Sequence, residues 1–292
     1  MKKASTVCVV GSINMDLTIS TTKMPDQGET ILGDNFATYP GGKGANQAVA
    51  AARVGADVNM IGAVGDDAFG TTLLDHLKHE GISIEGITMM HEVATGIATI
   101  ILSENDNRII VAPGANHAVL PELIEKNREQ IKHSDVVLMQ LEIPIETVVR
   151  TLKIAREYDI PVIVNPAPYQ SLPDELLTGS TFFTPNEIEV EAMKNDPLFD
   201  SIREKLIVTK GDEGVEFYNN GTNHVPGFNV EVKDTTGAGD TFNGALAARL
   251  GSGLSIDEVV QFANAAAALS VTKVGAQGGM PTKQEVEGFR KE

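Results

Sequence analysis

The feature that most constrains this chain is a series of short apolar runs without polar alternation, at 6–10, 58–61, 136–141, 162–164, 181–184 and 206–209. A strand with one wet face alternates, so runs of this kind predict strands covered on both faces, as in a parallel sheet between helices. Segments between them carry helical spacing with recognisable ends. One helix runs from Ala45 to Val54 and closes at Gly55, and another runs from Thr241 to Leu250 and ends at Gly251. Ser255-Ile256-Asp257-Glu258 reads as a capping box that opens a helix through Phe262 and the alanines at 265–268. Two stretches, 16–39 and 95–113, break the rhythm. In them Thr18-Ile19-Ser20, Thr30-Ile31-Leu32, 97–102 and 108–111 look like hairpin strands around Gly, Pro and Asn turns. The expectation is one α/β domain over 1–292, three layers deep, with a mostly parallel central sheet and a small β-sheet appended from 16–39 and 95–113. A length of 292 residues suits one such core with an appendage.

Charge and composition narrow the function classes. With 23 basic and 40 acidic residues the net charge is -17, which disfavours a nucleic-acid partner, since that binding needs clustered cations. The single cysteine, Cys8, lies in an apolar run and reads as a buried strand residue; with no disulfide framework, a reducing compartment is expected. Met1-Lys2-Lys3 leads into an apolar run too short for a signal peptide, and no apolar stretch reaches the roughly 18 residues of a membrane span. The expected location is the cytoplasm.

Polar residues and glycines gather where the buried strands end: Gly11, Asn14 and Asp16 after the first, Glu142 after the third, Asn165, Asn186 and Gly211 after the rest. In an open parallel sheet that edge binds ligands, so these distant residues are expected to line one crevice. Asn14 and Asp16 suit a polyol, because each hydroxyl both donates and accepts; both are also ordinary turn residues. Gly41-Gly42-Lys43-Gly44-Ala45-Asn46 lacks the spacing and the Ser or Thr of a Walker loop. Its glycines would let a small polar ligand approach the backbone, with Lys43 and Asn46 supplying polar groups, or it is only a turn before a helix. Asn186 and Glu189 read as a capping box, or as groups placing phosphate and hydrated magnesium. Thr209, Gly211 and Gly214 lie in a turn between two apolar strands, with nucleotide contact arguable from their edge position. His76 and His79, at helical spacing near Glu80, read as a solvated face without a metal.

The stretch Asp234-Thr235-Thr236-Gly237-Ala238-Gly239-Asp240 joins an amide-rich turn to a carboxylate at a helix start. Such a turn favours phosphate or the charge of phosphoryl transfer, and Asp240 is placed to take a hydroxyl proton. The plainer reading is a tight turn with an acid complementing the helix dipole.

Together, Gly11-Ser12-Ile13-Asn14-Met15-Asp16, Gly41-Gly42-Lys43-Gly44-Ala45-Asn46-Gln47, Gln140-Leu141-Glu142, Asn165-Pro166-Ala167-Pro168, Asn186-x-x-Glu189 and the 234–240 stretch resemble the ribokinase-like (PfkB) carbohydrate kinases, in order, out to Gly275-Ala276-Gln277. The resemblance implies a ribokinase-like fold and transfer of the ATP γ-phosphoryl group to the 5-hydroxyl of D-ribose. Asp240 would be the base and Gly237, Ala238 and Gly239 the anion hole. Asn14, Asp16, Gly42, Lys43, Asn46 and Glu142 would hold sugar. Asn186, Glu189, Thr209, Gly211, Gly214, Gly239 and Asn264 would contact ATP and its Mg2+. It also implies an activating K+ bound by Asp234, Thr236 and backbone oxygens near Ser270, Lys273, Gly275 and Gly279, and a β-sheet lid that pairs with a second copy in a homodimer. At Gly279 the family often carries serine, so only backbone can serve there, and between Glu191 and Leu206 the chain is shorter than the family pattern. Rival expectations are a kinase for deoxyribose, fructose or a nucleoside, and a sugar-binding regulator without catalysis. A nicotinamide oxidoreductase is disfavoured, because Gly11-Ser12-Ile13-Asn14 replaces G-x-G-x-x-G.

Overall fold

A computed structural model describes residues 4–103 and 106–291. Met1-Lys2-Lys3 and residues 104–105 of the second appended stretch lie outside them.

The first half of the chain runs β1 (Thr6–Val10), β2 (Asn14–Ser20), β3 (Asn35–Gly41), α1 (Lys43–Arg53), β4 (Asp57–Gly65), α2 (Ala68–His79), β5 (Ser83–Met90), β6 (Gly96–Ser103), β7 (Asp106–Ala112), α3 (Pro121–Lys126) and α4 (Arg128–Lys132). It continues with β8 (Val136–Met139), α5 (Ile145–Glu157), β9 (Val162–Val164), α6 (Asp174–Gly179), β10 (Phe182–Phe183), α7 (Glu187–Met193) and α8 (Phe199–Ile202). The last third adds β11 (Ile207–Thr209), β12 (Gly214–Tyr218), β13 (Thr222–Pro226), α9 (Ala238–Leu250), α10 (Ile256–Ser270), α11 (Ala276–Gly279) and α12 (Lys283–Phe289).

The central sheet has the order β10-β9-β8-β1-β4-β5, with every pairing parallel. Its strands are buried on both faces, as the unbroken apolar runs require. In β1, Val7 and Val9 pack into one core, while Cys8 and Val10 pack into the other. Burial pushes the Cys8 thiol up to about 12, so it is an inert core residue. The order of strands reverses at β1, between β4 and β8, and that reversal opens the crevice beyond their C-terminal ends.

Helices α1 and α9 lie on one face and touch almost backbone to backbone. A Cβ on Gly244 would meet the Gln47 carbonyl oxygen at 2.4 Å and the Ala50 Cβ at 2.6 Å. Small residues on both helices, Ala48 and Ala51 on α1 and Ala245 and Ala248 on α9, permit this approach and are fully buried or nearly so. The Ser255 capping box forms as expected, with Glu258, and α9 starts at Ala238, three residues before the expected Thr241.

Several strands differ from expectation. The small sheet has the order β3-β2-β6-β7; its outer pairs are antiparallel, but β2 and β6 run parallel, so it is two hairpin-like pairs joined at the centre. Thr30-Ile31-Leu32 is not a strand. Leu32 is 93% exposed, and the partner of β2 is 35–41, in a register that pairs Asn14 with Gly41. The apolar run at 206–209 belongs to a separate antiparallel sheet, β11-β12-β13, tied to the main sheet by bridges from Phe183 to Leu206 and from Asn186 to Thr209. β5 escaped the reading because Glu85 and Gly86 interrupt its apolar run. Among the described residues, no helix is long and apolar enough to cross a membrane.

Candidate active site

Helix α9 aims its N-terminus into the crevice. Gly237 caps it in the left-handed region, with φ 79°, and a Cβ there would meet Ala276 Cα at 2.8 Å, so glycine is required. The Ala238 N–H turns back onto the Thr235 carbonyl at 3.2 Å. The N–H groups without a carbonyl partner among the described residues are therefore Gly237, Gly239 and Asp240, rather than all three of 237–239. Nothing lies within 4 Å of where a Gly239 Cβ would sit, so this donor cluster faces open space.

Asp240 stands in the first turn of α9. Its Oδ1 accepts from Gln47 Nε2 and its Oδ2 from Asn46 Nδ2, each at 3.0 Å. Burial pushes this carboxyl above its ordinary range, opposed by the Lys43 ammonium and the two amides. Gln47 is itself oriented: Gln140 Nε2 donates to its Oε1 at 2.7 Å, and its Nε2 also reaches Asn165 Oδ1 at 3.1 Å.

On one side of Asp240 lie the expected sugar residues. Ser12 Oγ donates to Glu142 Oε2 at 2.5 Å, the Lys43 N–H donates to the same oxygen at 3.1 Å, and Lys43 Nζ is 3.8 Å from Oε1. Asn116 Nδ2 donates to Asn14 Oδ1 at 2.7 Å, leaving the Asn14 amide nitrogen to donate elsewhere. Asp16 has its carboxyl pushed up to about 7, by burial first and then by Glu142 and Asp240, against the pull of Lys43. For Lys43, burial acts to lower the pKa, but Asp240, Glu142, Glu189 and Asp16 together raise it. Four carboxylates from four parts of the chain thus surround one ammonium.

The glycines of this loop also serve packing within the chain. A Cβ on Gly41 would fall 2.3 Å from an Asp16 carboxylate oxygen, one on Gly42 would meet the Asn14 N at 2.7 Å, and one on Gly44 would meet Gly11 C and Ser12 N at 2.6 Å. They make room for the neighbouring strand and its polar side chains.

On the other side, Lys43, Gly237, Ala238, Gly239 and Asp240 line a cavity of about 480 Å³. It extends to Asn186, Glu189, Thr209, Gly211, Gly214 and Asn264. Asn186 and Glu189 form the capping box of α7, with both bonds at 2.9 Å, and no hydrogen bond among the described residues engages Asn186 Nδ2 or Glu189 Oε1. Burial raises the Glu189 carboxyl, against the Asn186 N–H and Lys43. Gly211 and Gly214 both have positive φ in the turn before β12, and Gly214 abuts the Val225 carbonyl oxygen at 2.1 Å from its missing Cβ. Asn264 Nδ2 holds the Pro226 carbonyl at 2.9 Å.

Beside the start of α9, Asp234 accepts from the Thr236 N–H at 2.9 Å and the Gly275 N–H at 2.8 Å. Burial acts to raise its carboxyl, but these contacts and the Thr236 hydroxyl hold it below the ordinary range, so it stays ionised. Among the described residues no group of three or more His, Cys, Asp or Glu is arranged to hold a metal ion. Lys273 spends its ammonium on Glu285 at 3.3 Å and the Ser270 hydroxyl bonds the Ala267 carbonyl at 2.8 Å, so both offer the loop only backbone oxygen. At Gly279 a Cβ would meet the Ser270 carbonyl oxygen at 2.1 Å, so this backbone closes the position to any side-chain ligand.

The sequence reading missed the residues that orient the others: Gln47, Gln140, Asn116 and Gln277. Gln47 was detectable as the neighbour of Asn46 at a helix start. Asn116 sits in an irregular turn, Gly114–Ala118, that has no pattern to mark it. His76 departs from expectation, since its Nε2 lies 2.6 Å from Gln277 Oε1 and it is half-buried; His79 is exposed as expected.

Residues 4–283 match the pfkB family of carbohydrate kinases. The ribokinase of Bacillus subtilis is 47% identical over 287 residues, covering 96% of this chain and 98% of that protein. The crystal structure of ribokinase from Thermotoga maritima superposes with a TM-score of 0.91 at 37% identity, covering 99% of this chain and 100% of the other. Arabidopsis thaliana ribokinase, complexed with ribose and ATP, gives a TM-score of 0.92 at 30% identity, with coverage of 99% and 100%. The fold, with its open parallel sheet, is thus shared with solved ribokinases, and the chain belongs to the pfkB family of carbohydrate kinases.

Proposed function

We propose that this protein transfers the γ-phosphoryl group of ATP to the 5-hydroxyl of ribose, giving ribose 5-phosphate and ADP. The observation that carries the reading is the position of Asp240, bonded to the sugar-side helix through Asn46 and Gln47 while lining the cavity that reaches Asn186, Gly211 and Asn264. The names of the aligned relatives support ribose as the acceptor.

Asn14, Asp16, Lys43, Asn46 and Glu142 hold and orient the sugar hydroxyls. Asp240 takes the proton of the 5-hydroxyl as its oxygen bonds to the γ-phosphorus, and the bond to the β-phosphate oxygen breaks with its electron pair leaving on ADP. A carboxyl with a raised pKa is suited to keep that proton. The N–H groups at the start of α9 face the charge that spreads over the transferring group. Magnesium, bound with ATP, neutralises phosphate charge; Glu189 and Asn186 are the residues whose free polar atoms would hold its water shell. Potassium, held by Asp234 and the carbonyls of Thr236, Ser270, Lys273, Gly275 and Gly279, would add positive charge beside α9.

The four-stranded sheet acts as a lid, since β2 carries Asp16 and β3 runs directly into the sugar loop at Gly41. Closing it excludes water, the competing acceptor. On the face turned away from Asp16 it exposes Phe36 and Ile110, at 60% and 67%, and a second copy of the sheet covers them in a homodimer. The cytoplasm, which supplies ATP and keeps Cys8 reduced, is its setting.

ADP release measured over ribose, deoxyribose, fructose and nucleosides, with and without potassium, tests the reading. Ribose should give the highest kcat/KM, with potassium raising it. ADP release with none of these acceptors, or a clear preference for another sugar, would overturn it.

A further inference from the structure

We infer that His76 is a positioning residue for the catalytic carboxylate, acting through Gln277 and Asn46 to fix which end of an amide faces Asp240. The inference rests on Asp240 being the base.

Three contacts form a line from α2 to α9. His76 Nε2 lies 2.6 Å from Gln277 Oε1, Gln277 Nε2 donates to Asn46 Oδ1 at 2.8 Å, and Asn46 Nδ2 donates to Asp240 Oδ2 at 3.0 Å. An amide has a donor end and an acceptor end, so its orientation at one contact dictates the next. An ionised carboxylate only accepts. Asn46 must therefore present Nδ2 to Asp240, its Oδ1 must receive from Gln277 Nε2, and Gln277 Oε1 must then face a donor. His76 Nε2–H is that donor, in the neutral ring or the charged one.

The dependence also runs the other way. Without a donor at position 76, Gln277 is free to turn its amide over, which turns Asn46 and sets Asn46 Oδ1 against the Asp240 carboxylate. Two facing oxygens repel, and Asp240 would keep only the Gln47 contact. The rest of Gln277 cannot follow, because the Arg53 guanidinium grips its backbone carbonyl and that of Met280, the latter at 3.1 Å. Arg53 is itself fixed by Glu80 through paired bonds of 2.9 and 2.7 Å. Only the Gln277 side chain retains freedom, and His76 removes it.

The test compares His76→Gln, which restores an N–H donor near the ring Nε2, with His76→Leu, which keeps bulk but not the donor. Loss of a hydrogen bond that orients a charged group predicts a fall in kcat of about tenfold for H76L. The KM for ATP and the Tm should stay near those of the parent, and H76Q should retain kcat within about threefold. Full kcat in H76L, or an equal loss in H76Q, would overturn the inference. Should H76L fail to fold, Gln277→Met breaks the same line and carries the same expected loss. Asp240→Asn measured alongside separates the two readings: a dead D240N with a normal H76L removes only the relay, whereas an active D240N removes Asp240 as the base.

Discussion

Gln47 donates to Asp240 Oδ1 at 3.0 Å although 193 residues separate them in the chain. Asn46, its neighbour, holds the other oxygen. Among the described residues, the side-chain hydrogen bonds to the acid on α9 thus come from α1, the helix that follows the 41–44 loop, which ties the proposed base to the proposed sugar loop.

Asp240→Asn keeps the shape and one of the two amide contacts but removes the proton acceptor. Its kcat should fall by about 10²–10⁴, the usual worth of general-base help, with the KM for ribose changed little. Steady-state ADP release checks both.

Gly41→Ala drives a methyl group onto the Asp16 carboxylate, 2.3 Å away. Asp16 can swing aside, so the fold survives and the cost falls on sugar binding. The KM for ribose should rise about tenfold, equivalent to about 1.4 kcal/mol, while the KM for ATP stays put.

Asp16 also predicts a pH effect. Its pKa rises from 3.8 to about 7 in the folded chain, so the folded state holds this proton more tightly than the unfolded state. Its contribution to stability therefore falls as pH rises from about 4 to about 7 and is constant outside that window. Thermal melts of Asp16→Asn without ribose should show a shallower decline across the window than the parent. Parallel curves for the two proteins would count against the buried, crowded environment of Asp16.

Ile110→Asp places a charge on the exposed apolar face of the four-stranded sheet, at its edge strand β7. Light scattering should shift from twice the chain mass to one chain mass, and the KM for ribose should rise because Asp16 lies on the same sheet.

The parallel sheet was legible because burial on both faces leaves unbroken apolar runs, as in β1 and β9, and the crevice followed because polar residues end those runs. The small sheet was legible only as strands. That β2 pairs in parallel with β6 depends on contacts 82 positions apart, Asn14 with Gly96, which no local pattern encodes. Asp240, Lys43, Asn14 and Glu142 stood out because polar residues in apolar or glycine-rich surroundings need a reason. Gln47, Gln140 and Gln277 did not, because an amide inside a helix or at a strand end looks ordinary until its partner is known. The glycines of the 41–44 loop were found, but their packing against Asp16, Asn14 and Ser12 was not legible, since sequence shows that a side chain is missing and not what fills the space.

The near-contact of α1 and α9 at Gly244 leaves no slack between the helix carrying Asn46 and Gln47 and the helix carrying Asp240. Acceptor preference can therefore drift through changes in β2, β3 and β6, the strands of the separate small sheet, while the paired helices that carry Asn46, Gln47 and Asp240 are inherited as a single block.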